Sequence, residues 1–313
     1  MIKNLVIAGG GLKTAPVIGA IKYLEEKNII ENVTSYYGAS AGSIFCLLLI
    51  LKYSAIEIEN LFLNLNMGKL FEPNTDIENF FNYYCIYNQN KFAKIIKLLI
   101  NYKLGRDLSG NICGTYENIT MYQLYIKTGI KFTCSVVSLK TRTVKYFNHI
   151  SQPNIPVFKL LMMTSAVPFI FKPVKWRDVL YVDGGMVDNF PIHIIPANEI
   201  EYTLGIRPLI KLSHCKTKIN TLYDYVNCIF SIVTCSINKI NSFKVIWIEI
   251  DEKNTNDVLN TSMNKENKLK IIQKGYDDMK KQYTEFKKVK YINASTQTDM
   301  IIKYDMLKRS KSL

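Results

Sequence analysis

VTSYYGASAGSIFCLLLIL, residues 33–51, decides the fold of this chain. Residues 33–37 are typical of a strand, and residues 43–51 have the length and apolar composition of a buried helix. Between them, Ser40 has a glycine two positions to either side, Gly38 and Gly42. Glycines also mark ordinary turns, but this spacing is typical of a nucleophile elbow, a sharp strand-to-helix turn that exposes a serine hydroxyl. Ser40 is therefore a candidate nucleophile.

A second strand-to-helix turn lies upstream, where Gly9-Gly10-Gly11 joins an apolar strand (residues 5–8) to a helix (residues 15–27). Three glycines leave successive backbone N–H groups free to converge on an anion at a helix N-terminus. A Walker phosphate loop needs a glycine directly before Lys13, and a dinucleotide fingerprint needs one at Thr14, so neither pattern fits. The remaining interpretation is an oxyanion hole, which stabilises charge on a carbonyl oxygen under attack by a serine.

A third glycine-rich segment, Asp183-Gly184-Gly185, follows an apolar strand at residues 179–182. Asp-Gly-Gly is a common turn, but the glycines also let the carboxylate face a cleft without obstruction. A serine nucleophile needs a base, and the usual base is histidine. The three histidines stand in an alternating strand, in an apolar stretch between prolines and in a polar loop (His149, His193 and His214). Asp183 is therefore the candidate base.

Taken in order, Gly9-Gly10-Gly11-Leu12-Lys13, Gly38-Ala39-Ser40-Ala41-Gly42 and Asp183-Gly184-Gly185 resemble the three signature elements of patatin-like phospholipases. A fourth stretch, residues 164–174, is similar to the Ser-x-Ala-x-Pro segment ending in Phe-x-Pro that precedes the aspartate in that family. Asn189 and Pro191 match its Asn-x-Pro. The resemblance covers residues 5 to about 200.

The resemblance implies a three-layer α/β/α fold with a central, mostly parallel sheet and a helical cap insertion. It also implies a lipid acyl hydrolase of the phospholipase A or lysophospholipase type, acting on a phospholipid or another acyl lipid without a cofactor. Ser40 would form an acyl-enzyme and Asp183 would be its base, in a Ser–Asp dyad that needs no histidine.

The other family positions imply supporting roles. Backbone N–H groups of Gly9, Gly10 and Gly11 would form the oxyanion hole. Further support for the site would come from the basic residue and from the glycines that flank the dyad (Lys13, Gly38, Gly42, Gly184 and Gly185).

The chain departs from the family pattern at two positions. Thr14 stands where a glycine usually follows the basic residue, and Ala8 stands where an acidic or small polar residue often precedes the glycines. Because a β-branched residue does not readily adopt a positive φ, Thr14 predicts an altered geometry of the oxyanion loop.

Two alternative functions remain open. A conventional α/β-hydrolase would complete a Ser-Asp-His triad with His193 or His214, although that fold builds several strands before its nucleophile and only two precede Ser40. A catalytically impaired relative would use the same pocket to bind a lipid or a partner without turnover.

The order of predicted elements gives the domain organisation. Strands alternate with helices along the chain, which favours a sheet covered on both faces. We predict a catalytic domain over residues 1–286, a helical cap insertion over about 55–128 whose last helix runs from Thr120 to Gly129, and a polar, basic extension over 287–313. Further helices are predicted over 156–166, 222–240 and 265–285.

Composition indicates the compartment. No apolar run is long enough to span a membrane, and Met1 to Asn4 lead directly into a strand instead of a signal peptide. Seven cysteines without a Cys-x-x-Cys pair argue against disulfides and zinc, and no calcium-loop spacing is present. We therefore expect an intracellular protein without a metal, and the abundance of Ile, Lys and Asn fits the AT-rich genome of a virus, a protist or an intracellular bacterium.

A net charge of +14 favours anionic partners. No nucleic-acid-binding signature is present, so the expected partner is an anionic membrane surface to which the protein binds peripherally. The lysine-rich amphipathic helix near residues 91–104 either contacts that surface or covers the core with its apolar face. Thr296-Gln297-Thr298 resembles the segment bound by dynein light chains, although the preferred basic residue is missing.

Overall fold

A computed structural model describes residues 1–65, 70, 84–87, 89–106, 109–210, 225, 228–229, 244–250 and 264–291. Most of the helix predicted over 222–240, His214, Thr296-Gln297-Thr298 and all other residues after 291 lie outside the described residues.

Within the described residues, the central sheet has eight strands. They are Asn4–Ile7 (β1), Ser35–Gly38 (β2), Lys131–Ser138 (β4), Thr143–Phe147 (β5), Val174–Trp176 (β7), Val179–Asp183 (β8), Thr203–Ile210 (β9) and Lys244–Ile250 (β10). A separate parallel pair joins Cys85–Tyr87 (β3) to Phe169–Phe171 (β6). The strand order is β10-β9-β1-β2-β4-β8-β7, with β5 also paired to β4. The strands from β10 to β4 are parallel, which confirms the predicted α/β class with a mostly parallel sheet.

The register of the sheet brings two motifs together. Gly38, the last residue of β2, pairs with Cys134 of β4, and Asp183, the last residue of β8, pairs with Val136 of the same strand. Because Cys134 and Val136 are two residues apart on one strand, the end of β2 and the end of β8 meet at one place. Ser40 lies two residues beyond the end of β2.

Seven helices of the described residues surround the sheet. They are Val17–Glu26 (α1), Ala41–Ile50 (α2), Ala55–Asn64 (α3), Asn90–Leu104 (α4), Met121–Thr128 (α5), Val157–Thr164 (α6) and Lys265–Tyr291 (α7). The predicted limits of α5 are confirmed: the Thr120 side chain accepts from the N–H of Gln123 in a capping box, and Gly129 ends the helix with a φ of +69°.

Alternation along the strands divides the core into two parts. Leu5 and Ile7 of β1 face a large cluster that includes buried side chains of α1, α2 and α7. Val6 and Ala8 face the other way and pack against a smaller cluster from residues 190–195. Both faces of β1 are therefore covered, which explains its continuous apolar sequence.

Helices α1 and α7 cross with their backbones in close approach. A Cβ atom at Gly19 of α1 would lie 1.8 Å from the carbonyl oxygen of Ile272, and one at Gly275 of α7 would lie 1.8 Å from the carbonyl oxygen of Pro16. Around this crossing, Tyr23 packs edge-on against Tyr276. Only glycine fits at these two positions, because a side chain at either would collide with the backbone of the other helix or of the residue before it.

Some predicted elements differ from the structure. Residues 85–87 form β3 inside the stretch predicted to be helical, and β6 and β7 were not predicted. Each of these strands has three residues, which is too short for an alternating pattern. Strands β3 and β6 are defined by pairing with each other, and β7 is defined by pairing with β8 in a hairpin. Helix α7 also continues to Tyr291, beyond its predicted end at residue 285.

The lysine-rich helix α4 covers the core with its apolar stripe. Phe92, Ile96 and Ile100 are buried, while Lys91 and Lys94 are exposed. Across the parts of the chain that the structure describes, no helix is both long and apolar enough to cross a membrane.

Candidate active site

Ser40 occupies a strained turn between β2 and α2. Its backbone has a φ of +48° and a ψ of −130°, outside the regions that a residue with a side chain ordinarily adopts. The flanking glycines make this turn possible, because a Cβ atom at Gly38 would lie 2.7 Å from the Ser43 backbone and one at Gly42 would lie 2.2 Å from the carbonyl oxygen of Ile7. The structure therefore has the local geometry that the elbow pattern predicts.

The Ser40 hydroxyl donates a hydrogen bond to Asp183. Oγ lies 2.6 Å from Oδ2 of the carboxylate, and the Gly185 N–H donates to Oδ1 at 2.7 Å. Asp183 is fully buried and Ser40 is 6% exposed. Two residues that are 143 positions apart in the sequence thus share one short hydrogen bond in a site shielded from bulk water.

Burial raises the pKa of Asp183 from 3.8 to about 7, because a carboxylate is poorly solvated there. The hydrogen bonds from Ser40 and from the Gly185 N–H stabilise the ionised form and lower the pKa, but desolvation is the larger effect. Near neutral pH the side chain can therefore both accept and release a proton, which is what a general base requires.

The glycines after Asp183 allow the turn to fold tightly against neighbouring strands. A Cβ atom at Gly184 would lie 2.2 Å from the carbonyl oxygen of Ser135, and one at Gly185 would lie 2.6 Å from Oδ1 of Asn189. Both positions are buried and have no room for a side chain.

Asn189 clamps the first glycine of the upstream loop. The side-chain Nδ2 of Asn189 donates to the backbone carbonyl oxygen of Gly9 at 3.0 Å. The backbone carbonyl oxygen of Asn189 accepts from the Gly9 N–H, also at 3.0 Å. A Cβ atom at Gly9 would lie 2.9 Å from Cβ of Ser40, so the loop runs directly beside the serine. The N–H of Gly9 already has an acceptor, whereas those of Gly10 and Gly11 have none within the described residues.

Thr14 does not strain the glycine loop as its sequence position predicts. The left-handed residue of the loop is Gly11, with a φ of +56°, and Thr14 is not among the residues with a positive φ. Its hydroxyl donates to the carbonyl oxygen of Gly11 at 2.6 Å, which closes the short 3-10 turn from Gly11 to Thr14. Lys13 lies in the same turn, half-buried, and its N–H donates to the carbonyl oxygen of Gly10.

The two histidines that the structure describes contact residues other than Ser40 and Asp183. Nε2 of His193 is 3.2 Å from the hydroxyl of Tyr146, and His149 stacks on Tyr125. Neither histidine hydrogen-bonds to Ser40 or Asp183. Within the described ranges, no group of three or more His, Cys, Asp or Glu side chains could hold a metal ion.

Two residues outside the predicted site set connect the Ser40 backbone to strand β4. Thr164 accepts a hydrogen bond from the Ser40 N–H at 2.9 Å, and Ser135 accepts one from the Thr164 hydroxyl at 2.7 Å. Thr164 begins the fourth stretch that resembles the family pattern, but nothing in the sequence indicates that its hydroxyl would contact the elbow.

Known proteins resemble this chain in sequence and in fold. Residues 5–195 match the family model described as patatin-like phospholipase. An uncharacterized protein of Acanthamoeba polyphaga mimivirus is 27% identical over 72% of this chain and 73% of its own length. A protein of Invertebrate iridescent virus 6 named as a probable lipid hydrolase is 27% identical over 61% of this chain and 62% of its own length. The crystal structure of VipD from Legionella pneumophila aligns with a TM-score of 0.56 at 17% identity, covering 91% of this chain and 67% of VipD.

Proposed function

The chain belongs to the patatin-like phospholipase family, and on that premise we propose that it hydrolyses the fatty acyl ester bonds of phospholipids, as a phospholipase A or lysophospholipase. The observation that carries this proposal is the 2.6 Å hydrogen bond from the Ser40 hydroxyl to the buried carboxylate of Asp183. The viral relative named as a probable lipid hydrolase supports the lipid substrate.

The first half of the reaction acylates Ser40. Asp183 accepts the hydroxyl proton as Oγ attacks the ester carbonyl carbon. Negative charge then develops on the carbonyl oxygen, which can accept from the N–H groups of Gly10 and Gly11, because these two have no other acceptor within the described residues while that of Gly9 is bonded to Asn189. As the ester bond breaks, the leaving lysolipid oxygen takes the proton from the protonated acid.

The second half releases the fatty acid. A water molecule loses a proton to Asp183 and attacks the carbonyl carbon of the acyl-enzyme, and the same glycine N–H groups stabilise the oxyanion. When the bond to Oγ breaks, the proton returns to Ser40 and the fatty acid leaves. One carboxyl group serves as acid and base in turn, which suits a pKa near 7.

We also propose that the protein works at an anionic membrane surface. Its net charge of +14 favours such a surface. Helix α4 presents Lys91, Lys94 and the apolar side chain of Leu98 outward, while its buried stripe anchors it to the core. Comparing sedimentation with neutral vesicles and with vesicles containing phosphatidylserine tests this part of the proposal, and equal binding to both would contradict it.

Reaction with a fluorophosphonate probe tests the nucleophile. We expect modification at Ser40 in the wild type and none in Ser40→Ala. A folded wild-type protein that remains unmodified would favour a function in binding without turnover.

Product analysis tests the reaction and the base. Phosphatidylcholine labelled separately in each acyl chain identifies the ester that is cleaved. Asp183→Asn should abolish release, while the surface variants Asp178→Asn and His193→Ala should retain it, because Asp178 lies in an exposed hairpin turn and His193 contacts neither member of the dyad. A His193 variant as inactive as Asp183→Asn would show that a dyad without a histidine is wrong.

A further inference from the structure

Residues 164–166, from the last residue of α6 onward, contact the backbones of both proposed dyad residues. The Ser40 N–H donates to the Thr164 hydroxyl oxygen at 2.9 Å, and the Asp183 N–H donates to the carbonyl oxygen of Ala166 at 3.0 Å. Ser40 and Asp183 come from different parts of the sheet, so this segment is a bridge between them.

The Thr164 hydroxyl has a fixed direction. It is fully buried, and its single proton is donated to the carbonyl oxygen of Ser135 at 2.7 Å. A lone pair is therefore left to accept from the Ser40 N–H. The hydroxyl therefore hydrogen-bonds to the elbow through the Ser40 N–H and to strand β4 through the carbonyl oxygen of Ser135.

Strand β4 also holds the base. Ser135 precedes Val136, which pairs with Asp183 across the β4–β8 ladder. The Ser135 hydroxyl donates to the carbonyl oxygen of Asp188 in the turn after Asp183, at 3.1 Å. The contacts form a closed ring from Ser40 through Thr164 and β4 to Asp183, and the 2.6 Å dyad hydrogen bond completes it.

We propose that Thr164 is a positioning residue that sets the distance between the Ser40 hydroxyl and the Asp183 carboxylate. The inference rests on the proposed function. Thr164 is not a catalytic residue, because its hydroxyl bonds to the Ser40 N–H and to the carbonyl oxygen of Ser135, not to the Ser40 hydroxyl or the Asp183 carboxylate. The strained φ of +48° at Ser40 needs a partner that holds it, and the Ser40 N–H is the group that Thr164 holds. Without that partner the elbow relaxes and the proton-transfer distance grows, which slows the chemical step more than substrate binding.

Two pairs of variants isolate the hydroxyl. Thr164→Val keeps the shape of threonine and lacks the hydroxyl, and Thr164→Ser keeps the hydroxyl and lacks the methyl group. Thr164→Ala serves as the partner of Thr164→Ser if the valine variant does not fold. We expect kcat to fall about 100-fold in the variants without a hydroxyl, with KM nearly unchanged, and to stay within a few-fold of wild type in Thr164→Ser. Thr133→Val is the matched control. Thr133 is buried like Thr164, and it lies on β4, two residues from Ser135.

Titration of active sites with the fluorophosphonate probe separates positioning from loss of folded protein. A purely structural role would lower the labelled fraction and leave kcat per labelled site unchanged, and that result in Thr164→Val or Thr164→Ala would overturn the inference. Equal losses in Thr133→Val and Thr164→Val would overturn it as well. A wild-type protein that neither labels at Ser40 nor releases fatty acid would instead refute the proposed function, and the inference with it.

Discussion

Replacing Asp183 with asparagine should abolish activity and yet make the folded protein more resistant to unfolding at alkaline pH. The carboxyl group is fully buried, and burial raises its pKa from 3.8 to about 7. Between these values the folded state keeps a proton that the unfolded state has lost. The free energy of unfolding of the wild type therefore falls as the pH rises from 4 to 7, and this contribution levels off above pH 8.

The size of the effect follows from the shift in pKa. A shift from 3.8 to about 7 corresponds to about 4 kcal/mol. Asparagine carries no charge, so the variant lacks this penalty. The unfolding free energy of Asp183→Asn minus that of the wild type should increase by about 4 kcal/mol between pH 4 and pH 8. Any pH-independent effect of the substitution on hydrogen bonding cancels in this comparison.

Reversible urea unfolding followed by the fluorescence of the two tryptophans measures both free energies at each pH. Asp178→Asn is the control, because Lys175 lowers the pKa of that exposed carboxyl, so its pH effect is small and of opposite sign. A difference for Asp183→Asn that stays constant or decreases from pH 4 to pH 8 would refute the reasoning, since Asp183 would then be ionised in the folded protein across the whole range.

Three further results are expected. The kcat/KM for a phospholipid ester should rise tenfold per pH unit below about pH 7 and level off above it, because Asp183 must be ionised to accept the proton; a flat profile from pH 5 to pH 9 would contradict this. Gly9→Ala should lower kcat about 100-fold, because the new Cβ atom would lie 2.9 Å from Cβ of Ser40, whereas Gly10→Ala meets only a methyl group at 3.2 Å and should lose less; the reverse order in esterase assays would be inconsistent with the loop geometry. Gly275→Ala should destabilise the fold by about 3 kcal/mol or more, because its Cβ atom would lie 1.8 Å from a backbone oxygen just before α1; an unchanged midpoint of urea unfolding would show that the helix crossing can adjust.

Local patterns were sufficient to predict where the site residues stand in the fold. The glycines around Ser40 and after Asp183 encode turns, and turns depend on a few consecutive residues, so the sequence alone placed the serine after a strand and the aspartate at a strand end. The alternation of strands and helices predicted a sheet covered on both faces, and the family resemblance implied that this sheet is mostly parallel. The catalytic roles of these residues stay proposals.

What the sequence could not show depends on distant contacts. Thr164 meets Ser40 across 124 positions and Asn189 meets Gly9 across 180. Both residues stand in stretches that resemble the family pattern, but no local pattern indicates which residues they contact. The short strands β3 and β6 are likewise defined by pairing with each other, and they lie far apart in the sequence. Thr14 shows the opposite error: a position-by-position comparison predicts strain there, but the loop places its left-handed residue at Gly11.

The crossing of α1 and α7 has a consequence for synthesis of the protein. A nascent chain that has emerged as far as residue 250 already contains the glycine loop, the elbow and the aspartate, but not the helix whose Gly275 backbone seals the start of α1. Helix α1 begins only a few residues after the glycine loop. The glycine loop, which is made first, therefore depends for its support on α7, which is made after all the other described helices. During synthesis, the Ser40–Asp183 pair would therefore gain this support only after α7 has emerged from the ribosome.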